Sequence, residues 1–275
     1  MKIWKYHGIG NDFVLVDGMT GDVEIDPEWC KKVCRRNFDV GADGVLYVLP
    51  GDDADITMRI VNANGTEAEM CGNGIRCVAK YAYDEGLVDK DIFNINTQGG
   101  VKEAHVSLGP DGKVSTVSVD MGAPILNGKN IPIDYEGRFI DQPFVIGSLR
   151  LRGTTVSMGN PHFVTFSELA DGTIERLGPE IEQHEFFPNK TNVEFCKMVD
   201  NEIHVRVYER GAAWTLACGT GACASAVAAA LIGLVPFDEP IGVRLPGGRL
   251  EVTVGKDLDY VILEGPAEFV FKGEI

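Results

Sequence analysis

Long apolar runs are missing from this chain of 275 residues. No stretch of about eighteen apolar residues occurs, so the sequence offers no helix that could span a bilayer. The first residues, Met1 to His7, also lack the basic, apolar and small-residue order of a signal peptide. We therefore expect a cytoplasmic protein.

Cysteine occurs without the spacings that bind metals or build disulfide frameworks. The seven cysteines include no Cys-x-x-Cys pair, and the five histidines are dispersed. A chain of this length does not need disulfides to hold a core. We expect reduced thiols and no metal site. Cys30 and Cys34 are predicted to be packing residues on a helix that begins at Asp26-Pro27.

Basic residues are outnumbered, with 25 Lys and Arg against 41 Asp and Glu and a formal net charge of −16. Such a balance repels nucleic acids and anionic membranes, and neither is expected as a partner. The acidic residues are scattered, which is typical of solvated loops and faces. Any anionic ligand must therefore be held by local groups.

The chain contains an internal repeat at an offset of 147 positions (218 − 71). An upstream pair supports the repeat with one inserted residue, because Gly10-Asn11-Asp12-Phe13-Val14 is matched by Gly159-Asn160-Pro161-His162-Phe163-Val164. Such self-similarity predicts two homologous domains. The gapless match joins Arg59, Cys71-Gly72-Asn73-Gly74 and Gly86-Leu87-Val88 to Arg206, Cys218-Gly219-Thr220-Gly221 and Gly233-Leu234-Val235.

Both repeats are rich in predicted strands, and each Cys-Gly-x-Gly motif opens a predicted helix. Residues 75–85 and 222–232 contain no proline or glycine, and Gly86 and Gly233 follow as stops. The second helix has no charged face, so it must be enclosed, and a sheet wrapped around it is the expected enclosure. The strands are predicted at Phe13 to Val16, Val45 to Val48, Val114 to Val119 and Ile203 to Tyr208.

Cysteines at helix N-termini indicate proton transfer. Free N–H groups and the partial positive charge there stabilise a thiolate and bind a carboxylate. If a pseudo-two-fold axis relates the domains, Cys71 and Cys218 can reach opposite faces of one carbon, one as thiolate and one as thiol. Removing a proton from one face and delivering one to the other inverts the centre. The sequence thus predicts a two-base epimerisation.

Two simpler interpretations compete with this one. A single Cys-Gly-x-Gly is more often a turn with a buried cysteine, but its repetition at matched places favours chemistry. Two reactive thiols could also form a redox pair, or the chain could be a non-catalytic binding or redox-sensing module. Such a module would keep its ligand affinity after Cys71→Ser or Cys218→Ser and would never turn over.

Four motifs together resemble the diaminopimelate epimerase family over nearly the whole chain and in the family's order. The resemblance implies conversion of LL-diaminopimelate to the meso form without pyridoxal phosphate, another cofactor or a metal. It also implies a role in lysine and cell-wall precursor synthesis, and a homodimer. The motifs are Tyr6 to Phe13, Ala68 to Cys77, Met158 to His162 and Thr215 to Ala222.

The resemblance also implies a fold and a set of site residues. The fold is α+β, with two pseudo-symmetric domains, each a mostly antiparallel barrel-like sheet around a central helix. The final strand returns to the first domain, giving residues 1–118 plus 264–275 and residues 119–263. Cys71 and Cys218 are the implied acid and base, and His162 and Glu209 are implied to tune them. The implied substrate-binding residues are Asn11, Asn62, Gly72, Asn73, Asn160, Asn192, Glu209, Arg210, Gly219 and Thr220.

The side-chain chemistry agrees with that set. Diaminopimelate carries two ammonium and two carboxylate groups, so Arg210 can fork a carboxylate while Glu209 and asparagine oxygens accept from ammonium. Proline racemases and hydroxyproline epimerases are the rival within the superfamily. They favour histidine where this chain has Asn73, and they need no cation such as Arg210 for a distal carboxylate.

The sequence departs from the family pattern at four positions. Gly44 stands where some members have a glutamine that touches substrate, so that contact is not expected. Ala213 and Trp214 replace a common glycine with glutamate or proline, and Val61 replaces a frequent aromatic. These changes affect the shape of the site and leave both cysteines in place.

Overall fold

The computed structural model describes residues 1–21 and 23–275. The chain divides into two compact units, of which the first is Met1–Asp120 with Glu264–Ile275 and the second is Met121–Leu263. Each unit contains a long helix enclosed by strands, and the predicted α+β fold class is confirmed.

The first unit holds two helices and most of its strands before residue 121. Its strands pair in the order β18, β1, β2, β3, β4, β6, β7, β8, with β5 also on β4. The elements are β1 Lys2–Gly8, β2 Asn11–Asp17, α1 Pro27–Val33, β3 Gly44–Pro50, β4 Ile56–Asn62, β5 Glu67–Ala68, α2 Gly72–Asp84, β6 Ile92–Thr97, β7 Gly100–Leu108, β8 Val114–Asp120 and β18 Glu268–Glu274.

The second unit repeats this plan. Its strands pair in the order β9, β10, β11, β12, β13, β15, β16, with β14 also on β13. The elements are β9 Gln142–Ile146, β10 Leu149–Ser157, β11 Pro161–Thr165, α3 Asp171–Glu182, β12 Asn192–Val199, β13 Glu202–Glu209, β14 Ala213–Thr215, α4 Gly219–Leu231, β15 Ile241–Leu245, β16 Gly248–Val254 and β17 Val261–Pro266, whose last residues belong to the first unit.

Strand direction alternates in the same way in both units. The pair β2 and β3 is parallel, as is β11 with β12, and the pair β4 and β6 is parallel, as is β13 with β15. The intervening pairs are antiparallel. The strands predicted from β-branched and aromatic residues lie within β2, β3, β8 and β13 and are confirmed.

Helices α2 and α4 form the centres of the two units. Nearly every residue of α4 is buried, as its lack of charged residues predicts. Both helices begin directly after the cysteine of a Cys-Gly-x-Gly motif, as predicted, and the cysteine itself is the N-cap. They end before Gly86 and Gly233, whose φ angles of 75° and 76° suit glycine.

The short helix α1 begins where the sequence predicts. Asp26 caps it, Pro27 opens it, and Cys30 and Cys34 are buried, as predicted. Among residues 1–21 and 23–275, none of the helices combines the length and apolar character that a bilayer span requires.

Candidate functional site

The first cysteine turn begins helix α2. Cys71 adopts an extended backbone as N-cap, and its Sγ accepts a hydrogen bond from the Gly74 amide at 3.4 Å. The thiol is half-buried, whereas Gly72 and Asn73 behind it are buried. A sulfur in this position replaces the oxygen of an ordinary N-cap and receives the free N–H groups of the first turn.

Asn11, at the start of β2, lies over this turn with a fixed orientation. Its Nδ2 donates to Asp43 Oδ2 at 2.7 Å, so its Oδ1 faces the helix. That oxygen accepts from Asn73 Nδ2 at 3.1 Å and from Cys71 Sγ at 3.8 Å. The structure therefore brings Asn11, Cys71 and Asn73 together, with an acceptor directed at the thiol.

Arg76 supports the turn from below. Its side chain is fully buried, and its guanidinium donates to the Gly72 carbonyl at 2.8 Å, to Asn73 Oδ1 at 2.9 Å and to the Pro266 carbonyl at 3.3 Å. The bond to Asn73 Oδ1 leaves Asn73 Nδ2 for Asn11. Sequence reasoning missed Arg76, although a charged residue on the first turn of a helix that must be enclosed was the signal.

Asn62 is the last residue of β4. Its Nδ2 donates to Thr66 Oγ1 at 3.1 Å. Gly44 lies opposite Asn62 in the sheet, and a Cβ at Gly44 would meet the Val61 carbonyl oxygen at 2.8 Å. A larger residue at position 44 therefore requires the strand to shift.

The second cysteine turn begins α4 with the same geometry. Cys218 is the N-cap, its Sγ accepts from the Gly221 amide at 3.3 Å, and the Thr220 hydroxyl lies 3.5 Å from the sulfur. Burial raises the pKa of the Cys218 thiol well above its usual value, and the negative charges of Glu209 and of Glu194 in its ionised form raise it further. The hydrogen bonds from Thr220 and from Gly221 act in the opposite direction and stabilise the thiolate.

Asn160 and His162 form a chain of hydrogen bonds behind Cys218. Asn160 Nδ2 donates to Thr220 Oγ1 at 3.3 Å, and its Oδ1 lies 3.0 Å from His162 Nε2. His162 Nδ1 in turn lies 2.6 Å from Glu194 Oε1, with both side chains fully buried. Asn160 thus directs its Nδ2 donor toward the Cys218 turn, whereas Asn11 directs its Oδ1 acceptor toward the Cys71 turn.

The remaining predicted residues of the second unit surround the end of β13. Asn192 is buried, and its Oδ1 accepts from the Arg210 amide at 2.9 Å while its Nδ2 donates to the Pro161 carbonyl at 2.8 Å. The Arg210 side chain is exposed. Glu209 accepts a hydrogen bond from the Thr215 hydroxyl. Asn192 therefore fixes the backbone that carries the exposed guanidinium.

The strand registers correct one detail of the sequence repeat. Phe13 lies opposite Gly44 in the parallel pair of β2 and β3, and His162 lies opposite Asn192 in the parallel pair of β11 and β12. Gly44 and Asn192 are equivalent, because the residues after them, Val45 and Val193, lie opposite Val61 and Tyr208, which the offset of 147 relates. His162 therefore occupies the place of Phe13, and the predicted insertion is wrong. By the same registers, Leu46 and Glu194 are equivalent, facing Gly74 and Gly221 respectively.

Two functional candidates, Glu194 and Asp43, were absent from the sequence prediction. Glu194 was detectable as a lone acid inside the apolar run Asn192 to Cys196, since carboxylates in buried strands are rare unless paired. Asp43 carried no signal beyond a turn-like Gly-Ala-Asp-Gly. Within the described ranges of the chain, no three His, Cys, Asp or Glu side chains gather as metal ligands.

Comparison with solved structures defines the class of fold. The fold matches that of a phenazine biosynthesis protein from Bacillus anthracis, with a TM-score of 0.75, 18% identity and coverage of 100% of this chain and 98% of that chain. It also matches a hydroxyproline epimerase from Agrobacterium vitis, with a TM-score of 0.72, 16% identity and coverage of 100% and 90%. The chain thus has the fold of this group of enzymes, with a cysteine turn in each unit.

Sequence comparison then gives the particular family. The sequence model described as Diaminopimelate epimerase matches residues 3–126 and 154–270. A diaminopimelate epimerase from Desulfitobacterium hafniense is 47% identical over 283 residues, which cover 99% of this chain and 97% of the relative. The chain belongs to the diaminopimelate epimerase family and is an isomerase.

Proposed function

We propose that the protein interconverts LL- and meso-diaminopimelate by a two-base mechanism in which Cys71 and Cys218 exchange the roles of thiolate base and thiol acid. The observation that carries the proposal is the repeated cysteine N-cap. Each sulfur receives the amide hydrogen of the third residue that follows it, at 3.4 Å in α2 and 3.3 Å in α4. Because both turns offer the sulfur the same amide hydrogen bond, either thiol can hold or release the proton, as a reversible inversion requires.

The helix N-termini supply the stabilisation that a carbanion needs. In this proposal the α-carboxylate of the substrate is bound by the backbone at Gly72 and Asn73 and at Gly219 and Thr220. Charge that develops at the α-carbon delocalises into that carboxylate, where N–H groups and the positive helix ends lower its energy. This chemistry uses groups of the chain itself, without pyridoxal phosphate or a metal.

The distal end of the substrate provides specificity. Arg210 has an exposed guanidinium on a backbone held by Asn192, which suits a bidentate bond to the distal carboxylate. Glu209 and the oxygens of Asn62 and Asn160 are the acceptors assigned to ammonium groups, and Asn11 adds a further contact. A substrate without a second carboxylate would leave the Arg210 guanidinium with only the Asn189 carbonyl as partner.

The raised pKa of Cys218 has a mechanistic consequence. A thiol that holds its proton more tightly is a stronger base once ionised, and the α-proton of an amino acid is a very weak acid. The cost is a smaller thiolate fraction at neutral pH. His162 and Glu209 are the residues we assign to tuning this balance, and Glu209 acts on Cys218 by raising its pKa.

The cellular role follows from the same proposal. The meso isomer would supply lysine and peptidoglycan precursor synthesis in the cytoplasm, and the working form would be a homodimer. Size-exclusion chromatography with light scattering tests the dimer directly, since a monomeric mass at micromolar concentration contradicts it.

The test of function compares substrates and cysteine variants under reducing conditions. We expect turnover of LL-diaminopimelate and none of proline or hydroxyproline. Cys71→Ser and Cys218→Ser should each lower kcat by about a thousandfold or more, because a serine hydroxyl is far too weak an acid to be ionised near neutral pH. Cys34→Ala, which removes a buried thiol of the first unit, should keep full turnover. Faster racemisation of proline, or ligand binding without turnover, would overturn the proposal.

A further inference from the structure

The two units differ at one pair of equivalent positions behind their cysteine turns. In the first unit these positions hold Phe13 and Leu46, an apolar pair. In the second unit they hold His162 and Glu194, which lie 2.6 Å apart and have no exposed surface. Because the fold accepts an apolar pair here, the buried polar pair is not required for the architecture.

The hydrogen bonds determine how many protons the pair holds. Asn160 Nδ2 donates to Thr220, so Asn160 Oδ1 is an acceptor and His162 Nε2 must carry a proton. His162 Nδ1 and Glu194 Oε1 then share one further proton at 2.6 Å. In either form, imidazolium with carboxylate or imidazole with carboxylic acid, the pair is neutral overall.

The surroundings of Glu194 favour the second of these forms, a neutral carboxylic acid beside a neutral imidazole. Its second oxygen, Oε2, is buried and has no hydrogen-bond donor among residues 1–21 and 23–275. Burial raises the pKa of the Glu194 carboxyl, although His162 acts against this. An unpaired buried oxygen is less costly on a neutral acid than on a carboxylate.

The pair reaches Cys218 through two side chains. Thr220 Oγ1 uses a lone pair to accept from Asn160, so its hydroxyl hydrogen is available to the Cys218 sulfur 3.5 Å away. If His162 Nε2 carried no proton, Asn160 would turn its amide around and offer Thr220 an acceptor. The hydroxyl would then point to Asn160 instead of Cys218.

We propose that Glu194 is a positioning residue: by sharing one proton with His162 it fixes Asn160 and thereby directs the Thr220 hydroxyl at the Cys218 sulfur. This inference rests on the proposed role of Cys218 as an acid and base. Gly221 is part of the arrangement, because a Cβ there would meet Glu194 Oε1 at 2.9 Å. The glycine thus makes room for the carboxyl beside the turn.

Other titratable groups also lie near the Glu194 carboxyl. Glu209 on β13 acts on both Glu194 and Cys218, and Cys196 lies on the same strand as Glu194. A purely electrostatic role for Glu194 is therefore the alternative. The two roles predict opposite effects on the ionisation of Cys218, which makes them separable.

The test is peptide-resolved alkylation of Cys218 against pH by iodoacetamide in the full-length, reduced protein. In Glu194→Leu no group selects the Nε2–H tautomer of His162, so the Asn160 amide can turn and the Thr220 hydroxyl can leave Cys218. The alkylation midpoint should then rise by up to about one pH unit as the thiolate loses a hydrogen bond. Glu194→Gln preserves the Nε2–H tautomer of His162, because the Gln amide can donate to His162 Nδ1. The Cys218 midpoint in this variant should lie within about 0.3 pH units of wild type. A fall of the midpoint in both variants would show that Glu194 acts by charge and would overturn the proposal, as would no change in Glu194→Leu.

A double variant separates positioning from packing. His162→Phe with Glu194→Leu installs the residue pair of the first unit, so it should recover the thermal stability lost in Glu194→Leu while the Cys218 midpoint stays raised. Recovery of both would assign the pair a structural role only. In turnover, Glu194→Leu should lower kcat/KM about tenfold and Glu194→Gln less than threefold. Because alkylation needs no substrate, a wild-type protein inactive on diaminopimelate would sink the proposed function without deciding this inference.

Discussion

Asn11 donates its Nδ2 hydrogen to Asp43 at 2.7 Å, and this bond, together with the one that Asn11 Oδ1 accepts from Asn73, determines which end of the Asn11 amide faces Cys71. An amide can adopt two orientations that differ only in the exchange of oxygen and nitrogen, so a neighbour must select one. Asp43 selects the orientation that presents Oδ1 to the thiol. In the second unit the corresponding selection for Asn160 is made by His162.

Removing the Asp43 carboxyl should therefore impair catalysis more than stability. In Asp43→Ala only the hydrogen bond from Asn73 still orients the Asn11 amide. We expect this weaker hold to lower kcat/KM about tenfold, equivalent to about 1.4 kcal/mol. Steady-state kinetics measures this. Asp39→Ala, which removes the exposed ion pair of Arg35 and Asp39, is the matched control and should retain wild-type kinetics. Equal kinetics in both variants would exclude the orienting role.

The glycines at the third position after each cysteine should tolerate alanine unequally. At Gly221 a Cβ would meet Glu194 Oε1 at 2.9 Å and Cys218 Sγ at 3.2 Å, and Glu194 is tied to His162. At Gly74 the Cβ would meet only the end of the Leu46 side chain at under 3 Å. We expect Gly221→Ala to cost about 1–3 kcal/mol of unfolding free energy and Gly74→Ala less. Urea denaturation of both variants checks the order, and a larger loss in Gly74→Ala would contradict it.

Ala213 is a site where glycine should stabilise the protein. Its φ angle is 62°, in the left-handed region that strains a residue with a Cβ. Ala213→Gly should raise the unfolding free energy by up to about 1 kcal/mol, since relief of strain exceeds the added entropy of glycine. The neighbouring Ala212 is not in the left-handed region, so Ala212→Gly relieves no strain and should lower the unfolding free energy by about 0.4–1 kcal/mol. Thermal denaturation of the two variants should move in opposite directions.

Alkaline pH should destabilise the folded chain through its buried thiols. Burial raises the pKa of the Cys77 thiol to about 12, whereas an unfolded cysteine titrates near about 8.5. Between these values the unfolded chain releases a proton that the folded chain keeps, so the unfolding free energy falls as pH rises. The slope is about 1.4 kcal/mol per pH unit for each such thiol. Cys77→Ala should show a slope shallower by that amount in urea titrations between pH 9 and 11, and identical slopes would refute the assignment.

Much of the fold followed from local patterns in the sequence. The all-apolar stretch of α4 required enclosure, and glycine stops after α2 and α4 defined two helices of equal length. The start of each helix at its Cys-Gly-x-Gly motif is confirmed, although a cysteine N-cap followed by glycines lacks the oxygen side chain that usually marks a helix start.

The supporting residues of the site were less accessible from the sequence. Matching Phe13 to Phe163 gave more identities than matching Phe13 to His162, and this introduced a false insertion. Only the hydrogen-bond register of neighbouring strands shows that a histidine and Glu194 stand where the first unit has Phe13 and Leu46. Contacts between residues on different strands, such as Asp43 with Asn11, leave no periodic trace along the chain.

The central claim, proton exchange at the α-carbon by the two cysteines, is tested most directly by proton NMR in D₂O. The reduced wild-type protein with LL-diaminopimelate should lose the α-proton signal at one carbon as deuterated meso isomer accumulates. Cys71→Ser and Cys218→Ser should each stop the formation of that isomer. Absence of both exchange and inversion in wild-type protein, with its thiols shown to be reduced, would contradict the account.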